Sequence, residues 1–165
     1  MTERVEWEFG GPPVGRDRVR EIEGRLGINF PDDYVACVMK NQGASPSRDT
    51  LNFGGKREKV FDSLLSVTKH GDEEDAYTIE EALEDVGDRL PEDVVPFGTD
   101  PFGNLYAFDF RTESPPAVVY WDNEKAEANP QRSILHVADS FTEFLGMLYQ
   151  SDDEEDDEGE GEEDE

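Results

Sequence analysis

The sequence predicts an α+β domain in which helices stand at both ends of a largely antiparallel set of strands. Three observations carry this. Apolar residues recur at helical spacing between Val19 and Met39 and again after Ser140, strand-like runs and turn clusters fill the stretch between Val94 and Val137, and strand and helix signals do not alternate regularly as they would in a doubly wound fold.

The elements follow in chain order. Gly15 and Asp17 open a segment whose Val19, Ile22 and Leu26 share one helical face, and Gly27 suits a left-handed stop. Pro31 fits the first position of a second helix, Asp32 and Asp33 favour its positive end, and Tyr34, Val35, Val38 and Met39 form its apolar stripe. Asn41-Gln42-Gly43 ends it. From Thr50 to Val67 the pattern reads as two strands broken by Gly54-Gly55. Thr78-Ile-Glu-Glu81 is a capping box before Leu83, Val86 and Leu90, which with Ile79 make an amphipathic helix.

The second half reads more clearly as β. Val94 to Phe97 is a short apolar run, and the turn cluster Asp100-Pro-Phe-Gly-Asn104 leads into a strand with Tyr106, Phe108 and Phe110 on one face and Leu105, Ala107 and Asp109 on the other. Pro115-Pro116 returns the chain into a strand from Ala117 to Trp121, a polar loop covers Asp122 to Gln131, and Ile134 to Val137 is one more strand. Ser140-Phe-Thr-Glu143 is a second capping box, opening a helix with Phe141, Phe144, Leu145 and Leu148 on one side.

Composition bounds the function. The 165 residues suffice for one real core, and ten Phe, five Tyr and two Trp supply its large pieces. No run approaches the roughly 20 apolar residues of a membrane helix, the amino terminus lacks the layout of a secretion signal, and Cys37 is the single cysteine; together these predict a cytoplasmic protein without internal disulfides. The net charge is −27, and residues 152–165 hold 12 of the 42 acids with no base, which leaves 30 acids against 15 bases elsewhere. The body is acidic in its own right. Such a field repels nucleic acid and anionic membrane and attracts basic proteins, although adaptation to a salty cytoplasm produces the same composition. Residues 151–165 contain no apolar side chain to offset the entropy of ordering, so a folded body over 1–150 is expected to end in an acidic, disordered tail.

Catalytic constellations are sparse. His70 lies in a polar loop, His136 follows Ile134 and Leu135 as a strand side chain, and Cys37 sits beside an apolar stripe, so no nucleophile–base pair stands out. Gly54-Gly55-Lys56 lacks the spacing and hydroxyl of a phosphate loop. Neither Asp72-Glu-Glu-Asp75 nor the tail has the calcium-loop layout, and histidine and cysteine spacing for zinc is absent. With 42 acids, any chosen carboxylate pair is uninformative for glycoside chemistry. The expectation is a binding protein with no cofactor, no metal and no catalytic residue.

The ordered set of segments resembles the SUKH superfamily, of the SMI/KNR type. The resemblance runs over residues 7–148: Trp7, Ile22 to Leu26, Gly27-Ile-Asn-Phe-Pro-Asp-Asp-Tyr34, Asn41-Gln42-Gly43, Val95-Pro-Phe-Gly-Thr-Asp100, Gly103-Asn104, Val118 to Asp122, Ser140-Phe141 and Phe144-Leu145. It implies a single domain with a central, mostly antiparallel sheet flanked by helices, and a binding role: bacterial members are largely immunity proteins against secreted toxins, often nucleases, while fungal members act as scaffolds in cell-wall signalling. Pro31, Tyr34, Gly43, Pro96, Phe97, Gly98, Asp100, Gly103 and Asn104 carry over as mainly fold-defining. The usual Asn-Gly-Gly departs here to Asn41-Gln42-Gly43, and the acidic tail lies outside the pattern.

The functional expectation is an immunity-type protein that neutralises a basic toxin, with an intracellular scaffold as the alternative. Its contacts are expected among exposed acids and aromatics around the turns, namely Asp100, Phe102, Asp109, Glu113, Asp122 and Glu124.

Overall fold

A computed structural model describes residues 5–68, 77–111, 116–128 and 133–150. His70, the acidic run from Asp72 to Asp75, Glu113, Pro115 and the tail from 151 to 165 lie outside the described residues.

The chain runs β1 (Trp7–Glu8), α1 (Arg16–Leu26), α2 (Asp32–Asn41), β2 (Ser45–Pro46), β3 (Thr50–Phe53), β4 (Lys56–Val60), β5 (Ser63–Leu64), α3 (Ile79–Val86), β6 (Val94–Thr99), β7 (Leu105–Asp109), β8 (Ala117–Trp121), α4 (Asn123–Ala128), β9 (Ile134–Ala138) and α5 (Phe141–Met147). Strands β5 to β9 form one antiparallel sheet in sequence order, and β1–β2 and β3–β4 are two small separate ribbons. The α+β architecture expected from the sequence is the one observed.

Helix ends follow local chemistry. Gly27 at φ 72° stops α1, its N–H donating to Glu23 O. Pro31 stands one place earlier than expected: it caps α2 with an extended backbone, and its carbonyl accepts from Val35 N. The capping box at α3 is complete, with Thr78 Oγ1 accepting from Glu81 N and Glu81 Oε1 accepting from Thr78 N. At α5 only half of the expected box forms: Ser140 Oγ accepts from Glu143 N, but Glu143 Oε1 reaches back to Asp139 N, one residue early. Between Thr50 and Leu64 there are three strands where two were expected, because Gly54 and Gly55 (φ 56° and 82°) turn β3 directly into β4.

Strand β7 is buried along its whole length. Tyr106 and Phe108 face a core shared with α1, α2 and α5, while Leu105 and Ala107 face a second cluster with Val86, Leu90, Val119 and Trp121. Helix α3 serves both, giving Ile79 and Ala82 to the first and Val86 to the second. The first core is built from rings. Tyr34 of α2 lies 5.1 Å from Phe108, 5.9 Å from Phe97 and 5.5 Å from Phe141, and Phe97 stacks on Phe108 at 4.5 Å. Each such pair adds roughly 0.5–1.5 kcal/mol beyond its buried area.

The Pro96-Phe97-Gly98 run has a geometric reason. The β6–β7 register shifts between Pro96 and Gly98, and such a bulge tolerates a residue without an N–H. Gly98 makes room for Phe61, since a Cβ there would lie 2.2 Å from one ring carbon and 2.5 Å from another.

Gln42 joins segments far apart in the chain. Buried at 1% exposure, it accepts from Val67 N and Thr68 N through Oε1 and donates from Nε2 to Pro12 O.

Two glycines separate packing from propensity. Gly98→Ala is expected to lower stability by roughly 1–3 kcal/mol, because the Phe61 ring is fully buried and has nowhere to retreat. Gly24→Ala, inside α1 with nothing within 4 Å of the new methyl, is expected to raise it by about 0.5–1 kcal/mol. Urea midpoints of the two variants at unchanged slope measure both.

Candidate protein-binding site

The turn joining β6 to β7 is organised around one carboxylate. Asp100 Oδ1 accepts from Phe102 N and Asn104 N, both at 2.8 Å, and Oδ2 accepts from Asn104 Nδ2 and Tyr120 Oη, both at 2.9 Å. Asp100 N in turn donates to Asn104 O, and Gly103 supplies the positive φ of 92° that closes the loop. The four accepted bonds compensate for burying the carboxylate, which is only 6% exposed. Burial, with the Asp100 charge beside it, pushes the Tyr120 hydroxyl well above its ordinary range, so it remains a donor.

The network continues outward from the turn. Asn104 Oδ1 accepts from Asn123 N, Asn123 Oδ1 accepts from Arg89 Nη1 at 2.6 Å, and the Arg89 guanidinium lies 5.5 Å from the Trp121 ring centre. Trp121 Nε1 closes the circuit on Arg89 O. Opposite, Tyr77 Oη donates to Asp85 Oδ2 at 2.6 Å. These residues line a cleft of about 310 Å³, with Tyr77, Asp85, Arg89, Asp100, Asn104 and Trp121 among its walls.

Held out by this scaffold, Phe102 is 77% exposed, and Tyr77 is 41% exposed. With Phe9 they are the three large hydrophobic side chains exposed among the described residues; Tyr77 lines the cleft, and Phe102 stands on the turn whose Asp100, Gly103 and Asn104 line it. Apolar rings fixed in water on a rigid turn are what a protein interface uses as anchors.

The expected contact residues divide. Phe102, Asp122 and Glu124 are chain neighbours of residues that line this cleft, Gly103, Trp121 and Asn123: Asp122 Oδ1 accepts from Glu124 N and Lys125 N and so opens α4, and Phe102 and Glu124 are exposed. Asp100 and Asp109, expected to be exposed, are buried. Asp100 is consumed by the turn. Asp109 ends β7, about 13 Å along the strand from Leu105 at about 3.3 Å per residue, and its carboxylate is gripped by Arg111 Nε, Nη2 and backbone N. Glu113 falls outside the described residues.

Tyr77, Asp85, Arg89 and Asn123 were not singled out from the sequence. Asp122 followed by Glu124 is a helix-start signal that could have located α4, but six residues are too few for an apolar stripe. The remaining candidates take ordinary places. His136 is exposed on β9 with Nε2 3.2 Å from Asp139 Oδ1, and burial pushes the half-buried Cys37 thiol up to about 11. Among the described residues no His, Cys, Asp or Glu cluster is arranged to hold a metal ion.

A family model, that of the SMI1/KNR4 family (SUKH-1), matches residues 13–147. The chain is also similar to the SPbeta prophage-derived uncharacterized protein YokK of Bacillus subtilis (strain 168), at 23% identity over 161 residues, covering 88% of this chain and 80% of that protein.

Asp100→Ala is expected to cost about 2–4 kcal/mol, because it strands two backbone donors and a buried tyrosine hydroxyl; thermal unfolding at neutral pH measures the loss. At Asp109, burial raises the carboxyl pKa, but the hydrogen bonds and charge of Arg111 outweigh it, and the net shift is downward. Its contribution to stability is therefore full above the ordinary value of 3.8 and disappears as pH falls through the lower folded value. The stability gap between the wild type and Asp109→Asn is expected to be constant near neutrality and to close below pH 3.8.

Proposed function

This chain belongs to the SMI1/KNR4 family (SUKH-1), whose model covers residues 13–147, and from that premise we propose that it is an immunity-type protein that neutralises a basic toxin, of which a nuclease fits its charge best. Members of the family commonly act in toxin immunity. The observation that carries the reading is Phe102, an exposed ring on a turn fixed by the Asp100 network, whose Asp100, Gly103 and Asn104 line a cleft together with Tyr77 and Asp85.

The physics of such a contact is simple. A nuclease keeps positive charge where it holds phosphates, so an acidic partner gains association rate and imitates the field of the substrate. Phe102 then supplies desolvated area at the centre of the contact, while the acids around it set register and speed. Occlusion of the phosphate-binding surface blocks the toxin without any reaction by this chain.

The second reading is an intracellular scaffold whose acidity serves a salty cytoplasm. It is favoured by the spread of acids over surfaces remote from the cleft, such as Glu6, Glu8, Asp17 and Glu21 on β1 and around α1.

The test uses a purified basic nuclease toxin domain, sought first among the neighbouring genes. Phe102→Ala is expected to weaken binding about 10- to 100-fold, chiefly through faster dissociation, and Asp122→Lys with Glu124→Lys to slow association most at low salt. Toxin neutralisation unaffected by all three changes would sink the cleft as the contact. A fold that melts at low salt and is rescued near 1 M KCl, with no binding to the toxin, would favour the scaffold.

A further inference from the structure

Helix α3 and the turn after it border two different openings. Asp85, Val86 and Arg89 line the cleft at the β6–β7 turn, whereas Leu83, Gly87 and Leu90 line a separate groove of about 230 Å³. The apolar part of this groove is completed by Leu26 and Ile28 at the exit of α1 and by Val94 and Val95 of β6. Leu26, Ile28 and Leu83 are only half-buried, so apolar surface stays open to water here. Arg25 Nε and Nη2 reach Glu80 at 2.7 and 3.0 Å and tie α1 to α3, the two helices that flank the opening.

One rim of the groove is acidic. Glu92 and Asp93 both line it and are exposed, and neither carboxylate has a hydrogen-bond or ion-pair partner among the described residues. Among the described residues no lysine or arginine lines it. Asp93 is also strained: its φ is 68°, in the left-handed region, while its carbonyl accepts from Phe110 N at 2.8 Å. Glycine would adopt this backbone without the steric cost, whereas aspartate bears that cost and displays a carboxylate at the groove.

From these features we infer that the groove docks a segment of a partner protein that presents one leucine-sized side chain beside a lysine or arginine. The inference goes beyond the cleft and does not depend on it. The volume falls below the roughly 300–1,000 Å³ of small-molecule pockets and suits a single anchoring side chain, the kind of contact that carries most of the energy of an interface. The two unpaired carboxylates then select a cation next to the anchor. A second copy of this chain is excluded by the same charges. Phe9 follows Glu6 and Glu8, Tyr77 Oη donates to Asp85, and Phe102 N donates to Asp100, so each exposed ring of this chain would bring a carboxylate towards Glu92 and Asp93. Helix α3 thus carries a docking surface on each of two faces.

The experiment titrates the full chain with three blocked peptides while backbone amide shifts are followed: acetyl-Gly-Lys-Leu-Arg-Gly-amide, the same peptide with glycine in place of leucine, and acetyl-Gly-Glu-Leu-Glu-Gly-amide. The first two carry equal charge, so general attraction to the acidic surface is matched between them. The lysine–leucine–arginine peptide is expected to shift Leu83, Leu90 and Val94 and to bind about tenfold more tightly than either of the others. Equal affinity for the leucine and glycine peptides, or shifts confined to Asn104 and Trp121 of the cleft, overturns the inference. Groove shifts that grow with protein concentration alone also overturn it, by making a second copy the occupant. Asp93→Gly should weaken the leucine peptide while leaving the thermal midpoint at or above that of the wild type, because glycine relieves the backbone strain. Unchanged peptide affinity in Asp93→Gly and in Glu92→Gln would remove the acidic rim, and with it the basic partner. Phe102→Ala is expected to leave peptide affinity untouched, and a loss there would place the peptide in the cleft and overturn the inference. Failure of Phe102→Ala to affect a toxin would count against the cleft alone.

Discussion

Strand β7 buries Tyr106 and Phe108 on one face and Leu105 and Ala107 on the other, and this two-sided exclusion of water dictates what surrounds it. One face demands rings, which α2 and α5 supply through Tyr34, Phe141 and Phe144, and which β6 supplies by bulging at Phe97. The other demands a thinner cover, which the end of α3 and the short turn at Gly87–Arg89 provide. Both strand neighbours must then be antiparallel, because β7 is reached and left by direct returns of the chain.

The candidate cleft is a by-product of that constraint. Where β6 turns into β7 the chain must reverse within five residues, and the reversal is stabilised by placing a carboxylate inside it. Asp100 satisfies the turn from within, so the side chain between its hydrogen bonds, Phe102, has no inward path and points into water. The same carboxylate takes the hydroxyl of Tyr120, which ties the turn to β8, and through Asn104 and Asn123 the tie extends to α4. An interface anchored there inherits the rigidity of the sheet.

Much of this was legible in the residues and some was not, for identifiable reasons. The alternation of Tyr106 and Phe108 against Leu105 and Ala107 read correctly because a strand buried on both faces keeps its period while changing only residue size. The Thr78 box read correctly because capping is a local interaction between residues three apart. The exposure of Asp100 and Asp109 was misjudged, since charge alone does not reveal that four donors, or one arginine two residues on, will meet a carboxylate. Tyr77, Asp85 and Arg89 were invisible as site residues because they join the cleft through tertiary packing of α3 and the turn after it, and sequence spacing carries no trace of that.

Gln42 has a bearing on how this chain relates to others of its kind. Where the resembled pattern commonly has glycine, a side-chain amide here bridges the loop before α1 to the backbone at Val67 and Thr68. Those three places become a co-adapted set. Transplanting the stretch after α2 from a glycine-bearing relative would leave two amide hydrogens without an acceptor inside the fold, so homologous exchange at this corner has to carry all the partners together.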